Sequence, residues 1–206
     1  MGAWGSFQCY AQWHLSCFKK VQDYAKRKTF LFKERDKIRR QEFLGLLASL
    51  PADKRLWVDE CGVEEEAERP YGRALKRKRV YSERSGKIRH ARTTVIAAYR
   101  QKKIEAPFRF KGHTNTAVFN AWVGQCLVPV PKKDDWVILD NGAFHKSPQT
   151  RKAIEEQGVH LLFLPPYSPD LNEIEPQWAN LKARIRKDKY STPDFLQNLD
   201  HHLIHR

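Results

Sequence analysis

From residue 55 onward, short apolar runs alternate with longer stretches whose apolar positions recur every three or four residues. Arg55–Glu60 (ArgLeuTrpValAspGlu) reads as a buried strand. Thr93–Arg100 and Ile104–Phe110 flank the polar GlnLysLys and read as a hairpin. Asp135–Asp140 (AspTrpValIleLeuAsp) and His160–Leu164 are two further apolar strands. Between them lie helical patterns. One spans 37–49, with Phe43, Leu44, Leu46 and Leu47 as its apolar side and Pro51 as its stop. Another spans 115–128 behind Thr114 as cap, and a third spans 147–157 and stops at Gly158. A fourth runs from Asn172, its expected cap, to about 187; Ile174, Trp178, Leu181 and Ile185 form one stripe for packing on a sheet. A last helix is expected after Thr192 as cap and Pro193 in the first turn. The order predicts an α/β fold. Residues 1–25 show no clear period, and 26–40 are charge-rich. The chain has no internal repeat and no glycine-rich phosphate loop.

Length and charge narrow this picture. A chain of 206 residues can bury one good core. Thirty-eight Lys+Arg against 24 Asp+Glu give +14, an excess that suits a polyanionic partner, most simply nucleic acid. Cys9, Cys17, Cys61 and Cys126 lack metal-site or disulfide-framework spacing and read as free thiols of a reducing cytoplasm. The first residues lack the basic and apolar regions of a signal peptide, and no run is long enough to span a membrane.

Three acids fall at element ends. Asp59 closes LeuTrpValAsp, Asp140 closes the strand before it, and Glu175 heads the amphipathic helix, with 34 residues between Asp140 and Glu175. Each alone reads equally as a turn cap or as a favourable charge at a helix N-terminus. Together, in a basic α/β chain, they suit shared divalent metal and phosphodiester chemistry. Glu173 borders the other side of the same helical stripe and reads mainly as an N-terminal charge. Asn141 and His145 are supporting candidates. Candidate phosphate contacts are Arg73, Lys76, Arg77, Lys78 and Arg79, and then Lys182, Arg184, Arg186 and Lys187; a solvated charged face is the alternative. His201, His202 and His205 have helical spacing but no companion ligand, and read as exposed terminal histidines.

Several segments together resemble the catalytic domain of bacterial IS630-type transposases, within the Tc1/mariner group of DDE recombinases. They are LysGluArgAsp at 33–36, ValAspGluCysGly at 58–62, TyrGlyArgAla at 71–74 and AlaProPheArgPheLysGly at 106–112. AspAsnGlyAlaPheHis at 140–145, LeuProProTyrSerProAspLeuAsn at 164–172 and TrpAlaAsnLeuLys at 178–182 complete the set, so the resemblance covers about 30–190. It implies an RNase H-like mixed sheet flanked by helices and a site of Asp59, Asp140 and Glu175 holding Mg2+ (or Mn2+). It also implies cleavage of transposon ends and strand transfer into target DNA at TA sites. Its partners would be double-stranded DNA, both inverted repeats and target, bound as a homodimer in the bacterial cytoplasm at the nucleoid.

The chain departs from that family twice. Glu173 stands where the family has Pro, which adds a negative charge near the site. Residues 1–30 show no helix-turn-helix pattern, so a separately encoded helix-turn-helix partner is expected. The expected organisation is an N-terminal extension and linker helix over 1–50, a catalytic domain over 51–190 and a C-terminal helix over 191–206. The alternatives are another RNase H-like nuclease, or an element remnant that only binds DNA.

Overall fold

A computed structural model describes residues 32–64, 73–81, 92–188 and 194–204. All the elements below fall within one compact unit, Glu34–Arg206. TyrGly at 71–72, Thr192 and Pro193, and His205 lie outside the described residues.

The sheet has five strands: β1 (Arg55–Val63), β2 (Thr93–Arg100), β3 (Lys103–Lys111), β4 (Trp136–Leu139) and β5 (His160–Phe163), in the order β3-β2-β1-β4-β5. The hairpin pairs antiparallel on one side of β1, while β4 and β5 run parallel to it on the other. Both faces are covered, so alternate residues of β1 enter different cores. Trp57, Cys61 and Val63 join a cluster with Phe43, Trp178, Leu181 and Ile185; Leu56 and Val58 join one with Phe119, Trp122, Leu127 and Ile154. Burial on two faces explains why these strands read as apolar runs.

On the first face lie α1 (Lys37–Ser49), α4 (Glu175–Asp188) and α5 (Phe195–Ile204); on the second lie α2 (Thr116–Trp122) and α3 (Pro148–Glu155). The predicted stripe of α4 holds: Ile174, Trp178, Leu181 and Ile185 are all buried. In α1 only Phe43 is buried, while Leu44 and Leu46 stay exposed. Arg40 fixes α1 instead by a two-pronged ion pair with Asp170 at 3.0 and 2.7 Å.

Three expected caps differ. Asn115, not Thr114, caps α2 by accepting from Val118 N at 2.9 Å, and after Trp122 the helix widens into a π turn over Val123–Leu127. The Asn172 side chain does not cap α4; its backbone carbonyl accepts from Glu175 N at 3.2 Å, and its Oδ1 is buried without a partner. Asp194 caps α5, accepting from Leu196 N at 2.8 Å and Gln197 N at 3.2 Å. For α2 and α5 a shift of one or two residues brings a better-placed acceptor to the helix end.

Asp135 clasps the end of the sheet away from Asp140. It is buried, and it accepts from Arg100 at 2.6 Å and from Lys132 N at 2.8 Å, with Lys54 at 3.3 Å. Burial pushes its carboxyl up, but these donors outweigh burial and hold it below the ordinary range. The strand between, β4, is thereby anchored at its entry, which leaves its exit to carry chemistry.

Candidate active site

The parallel ladder between β1 and β4 is short: Arg55, Leu56 and Trp57 pair with Trp136, Val137 and Ile138. Two residues past the last pair stand Asp59 on β1 and Asp140 just after β4. The same register would set them opposite one another, so the two acids flank the place where the strands part. β1 itself runs on to Val63 against β2, with Asp59 opposite Ala97. Asp59 is therefore mid-strand, not at a strand end as its apolar run suggests; it terminates only the pairing with β4. Openings of this kind, at the carboxyl ends of parallel strands, are the usual ligand crevices of α/β sheets.

Asp59 points to the face covered by α4. It is 8% exposed, and Trp178 Nε1 of α4 donates to its Oδ2 at 3.1 Å. Burial, with the negative charges of Glu60, Glu175 and Asp140, pushes its carboxyl up to about 7. Burial is the largest cause of that rise, and the charges of Glu175 and Asp140 add less than that of Glu60. Glu175 is exposed and forms the first residue of α4, where the helix N-terminus favours a negative charge. Glu173 lies outside this group: it is exposed and stands 3.9 Å from Arg55.

Asp140 is held by its own loop. Its Oδ1 accepts from Gly142 N at 2.8 Å and from His145 Nδ1. Gly142 is needed there, because a Cβ at that position would lie 2.9 Å from Asp140 Oδ1. His145 is fully buried, and its Nε2 donates to Glu60 Oε1 at 2.8 Å. Burial pulls the imidazole down, but the two carboxylates outweigh burial and hold it at about 9. Asp140 is pushed up by burial and held below the ordinary range by His145. Glu60 escaped the sequence reading. It sits in the quoted ValAspGluCysGly segment, but its partner is 85 residues away and only the fold joins them.

A cleft of about 500 Å3 opens beside Glu175, lined among others by Gly62, Arg92, Trp178, Lys182 and Arg186. Lys182 and Arg186 therefore share a wall with the third acid. Arg92, missed in the sequence, also lines the cleft, with its guanidinium against Gly62. Arg184 and Lys187 are exposed and are not among the lining residues. Arg73 and Lys76–Arg79 are also exposed, in irregular chain with a turn at Lys76–Arg77, and none of them lines the cleft. Asn141 lines a different hollow, of about 360 Å3, with Phe43 and Leu46 of α1 and Pro165 and Pro166.

The donor set of the first face is three carboxylates, hard oxygen ligands of the type Mg2+ and Mn2+ prefer. Among the described residues, no three His, Cys, Asp or Glu side chains stand close enough together to hold an ion as they are. The acids fit a divalent cation by the chemistry of their oxygen donors. His202 pairs with Asp188 at 2.9 Å, far in sequence from these acids.

A mixed sheet in the order β3-β2-β1-β4-β5 with helices on both faces is an RNase H-like fold. A family model described as DDE superfamily endonuclease matches residues 54–197, and the chain belongs to that family. No curated protein sequence matches the chain. Among solved structures it is similar to the Mos1 transposase paired-end complex with left transposon end, at TM-score 0.63 and 12% identity over 93% of this chain and 67% of that one. It is also similar to the catalytic domain of Mos1 mariner transposase, at TM-score 0.54 and 13% identity over 86% and 93% of the two chains. A third similar structure is the Mos1 mariner paired end complex with Mn, at TM-score 0.61 and 13% identity over 93% and 67%. The chain spans about two thirds of the length of the transposase chains in those paired-end complexes. Among the described residues no helix is long and apolar enough to cross a membrane.

Proposed function

We propose that this chain is the catalytic part of a Tc1/mariner-group, IS630-type transposase. It cleaves the ends of its element and joins them to target DNA at TA sites. The observation that carries this reading is the arrangement of Asp59 and Asp140 at the β1–β4 parting, with Glu175 opening the helix that covers it. Family membership and the fold of the mariner structures support it.

Asp59, Asp140 and Glu175 would hold Mg2+ or Mn2+. When bound, the metal supplies Lewis acidity that activates the attacking hydroxyl and stabilises the leaving oxygen. The protein's own groups have separable tasks. Trp178 orients Asp59, and His145 and Gly142 N orient Asp140. Lys182, Arg186 and Arg92 would offer cations to a phosphate backbone in the cleft beside Glu175, whose lining also carries Glu60 and Glu64. The exposed Arg73, Lys76, Arg77, Lys78 and Arg79, with Arg184 and Lys187, would meet flanking duplex without choosing sequence. Inverted repeats would be selected by a separately encoded helix-turn-helix partner, with two copies of the chain on the paired ends. A soluble, nucleoid-associated bacterial protein is the setting this implies.

The test is cleavage and strand transfer on DNA carrying the inverted repeats, with Mn2+ or Mg2+, with and without the upstream region in trans. The reading expects weak, unselective nicking by the chain alone and selective end cleavage with the partner. Nicking without any strand transfer in both conditions would favour another RNase H-like nuclease. Binding without nicking would favour an element remnant.

A further inference from the structure

Where the backbone ladder between β1 and β4 stops, a side-chain bridge continues it. Glu60 leaves β1 on the face opposite Asp59 and accepts from His145 Nε2 at 2.8 Å; His145 Nδ1 donates to Asp140 Oδ1. The bridge thus runs from β1, through an imidazole, to the carboxylate at the exit of β4. We infer that Glu60 is a positioning residue for the proposed metal site: acting through His145, it fixes the Asp140 carboxylate relative to Asp59.

Three observations support this. First, His145 is fully buried between aromatic rings, with centroids of Phe119 at 4.4 Å and Phe144 at 4.1 Å. Walls of that kind leave the imidazole little freedom to turn, and a buried ring nitrogen needs a partner. Glu60, with its side chain 14% exposed, is that partner. Second, both groups flanking the ring are carboxylates, which accept when ionised. The ring donates from both nitrogens, so its direction is set at both ends. Third, Asp140 takes both its bonds on one oxygen, from His145 and from Gly142 N. Among the described residues Oδ2 takes none, which leaves it as the oxygen for a metal. Carboxylate–histidine arrangements behind ligands commonly set the orientation of the ligand atoms in this way.

Asp59 and Glu60 are adjacent in sequence, and strand alternation sends them to opposite faces. Any shift of β1 therefore moves Asp59 directly and Asp140 through the bridge. The two acids are coupled to one strand although they belong to two.

This inference rests on the proposed metal site, and its test separates the two. Mn2+ binding is measured by calorimetry on the full chain, alongside thermal melting and single-turnover plasmid nicking. Glu60→Met keeps the length of the side chain and removes the acceptor; Glu60→Gln keeps an acceptor oxygen. The expected result is that Glu60→Met weakens Mn2+ binding and slows nicking by about tenfold or more, the range seen when such supporting partners are removed. Glu60→Gln should recover binding to within about threefold of the wild type. A purely structural role would lower the melting temperature without changing the Mn2+ affinity of the folded protein. Wild-type affinity in folded Glu60→Met overturns the inference. So does a tenfold loss in Glu60→Gln, which decides the matter if Glu60→Met does not fold. Failure of the wild type to bind Mn2+ would instead overturn the proposed site itself.

Discussion

Asp59→Asn should stabilise the metal-free protein while removing its activity. Burial and three neighbouring acids raise the Asp59 carboxyl from 3.8 to about 7. At about 1.4 kcal/mol per pH unit, that rise corresponds to about 4 kcal/mol of strain when Asp59 is ionised in the fold. The sign follows from proton counts. Below pH 3.8 both folded and unfolded chains are protonated, and there is no penalty. Between 3.8 and about 7 the folded state binds the extra proton, so stability falls as pH rises; above 7 the full penalty stands. Asn carries no charge and can still accept from Trp178 Nε1, so it removes the penalty and keeps the contact. Denaturant titration in EDTA at pH 8 should show Asp59→Asn more stable by about 2–4 kcal/mol, or about 10 °C in melting temperature for a chain of this size. By pH 5 the gap should fall to under half. Millimolar Mn2+ should close the gap at pH 8 by stabilising the wild type alone. A variant as stable as or less stable than the wild type at pH 8, or a gap that does not shrink on acidification, would refute the reasoning.

His145 has the opposite sign: its stabilisation is complete below pH 6.5 and is lost as pH rises through about 9. Chemical denaturation should show the wild type losing about 3 kcal/mol more than His145→Asn across that window. Glu175→Gln should reduce metal-dependent nicking to background, while Glu173→Gln, which removes only a long exposed pair with Arg55, should change it little; the reverse pattern would move the third acid. Gly142→Ala should weaken Mn2+ binding in calorimetry, since its Cβ would press on Asp140 Oδ1 at 2.9 Å. Replacing Lys182 and Arg186 by Gln should lower the slope of log DNA affinity against log salt by about 2, whereas an unchanged slope would take the DNA path off this wall.

Much of this was legible in the sequence because it depends on local periodicity. Ile174, Trp178, Leu181 and Ile185 repeat along α4, and the apolar runs of β1 and β4 mark strands buried on both faces. The three acids stood out because each follows or begins such a pattern. What the sequence hid depends on pairing. Asp59 looks like a strand end because its apolar run stops there, yet β1 continues to Val63 against β2, and only the β4 ladder has ended. Glu60 looks like surface charge until the fold places His145 under it. The caps at Asn115 and Asp194 were missed by one or two residues because several acceptors precede each helix and backbone geometry decides among them. Lys182 and Arg186 could not be told from Arg184 and Lys187 on charge; the cleft beside Glu175 separates them.

The central claim is that Asp59, Asp140 and Glu175 are ligands of one metal centre. Crystals of the full chain soaked in Mn2+ and measured for anomalous scattering test it most directly, without any need for DNA. The account predicts an anomalous peak at the β1–β4 parting, within bonding distance of Asp59 and Asp140 and facing Glu175, and its loss in Asp140→Asn. A well-ordered peak elsewhere, or an unchanged peak in Asp140→Asn, would contradict it.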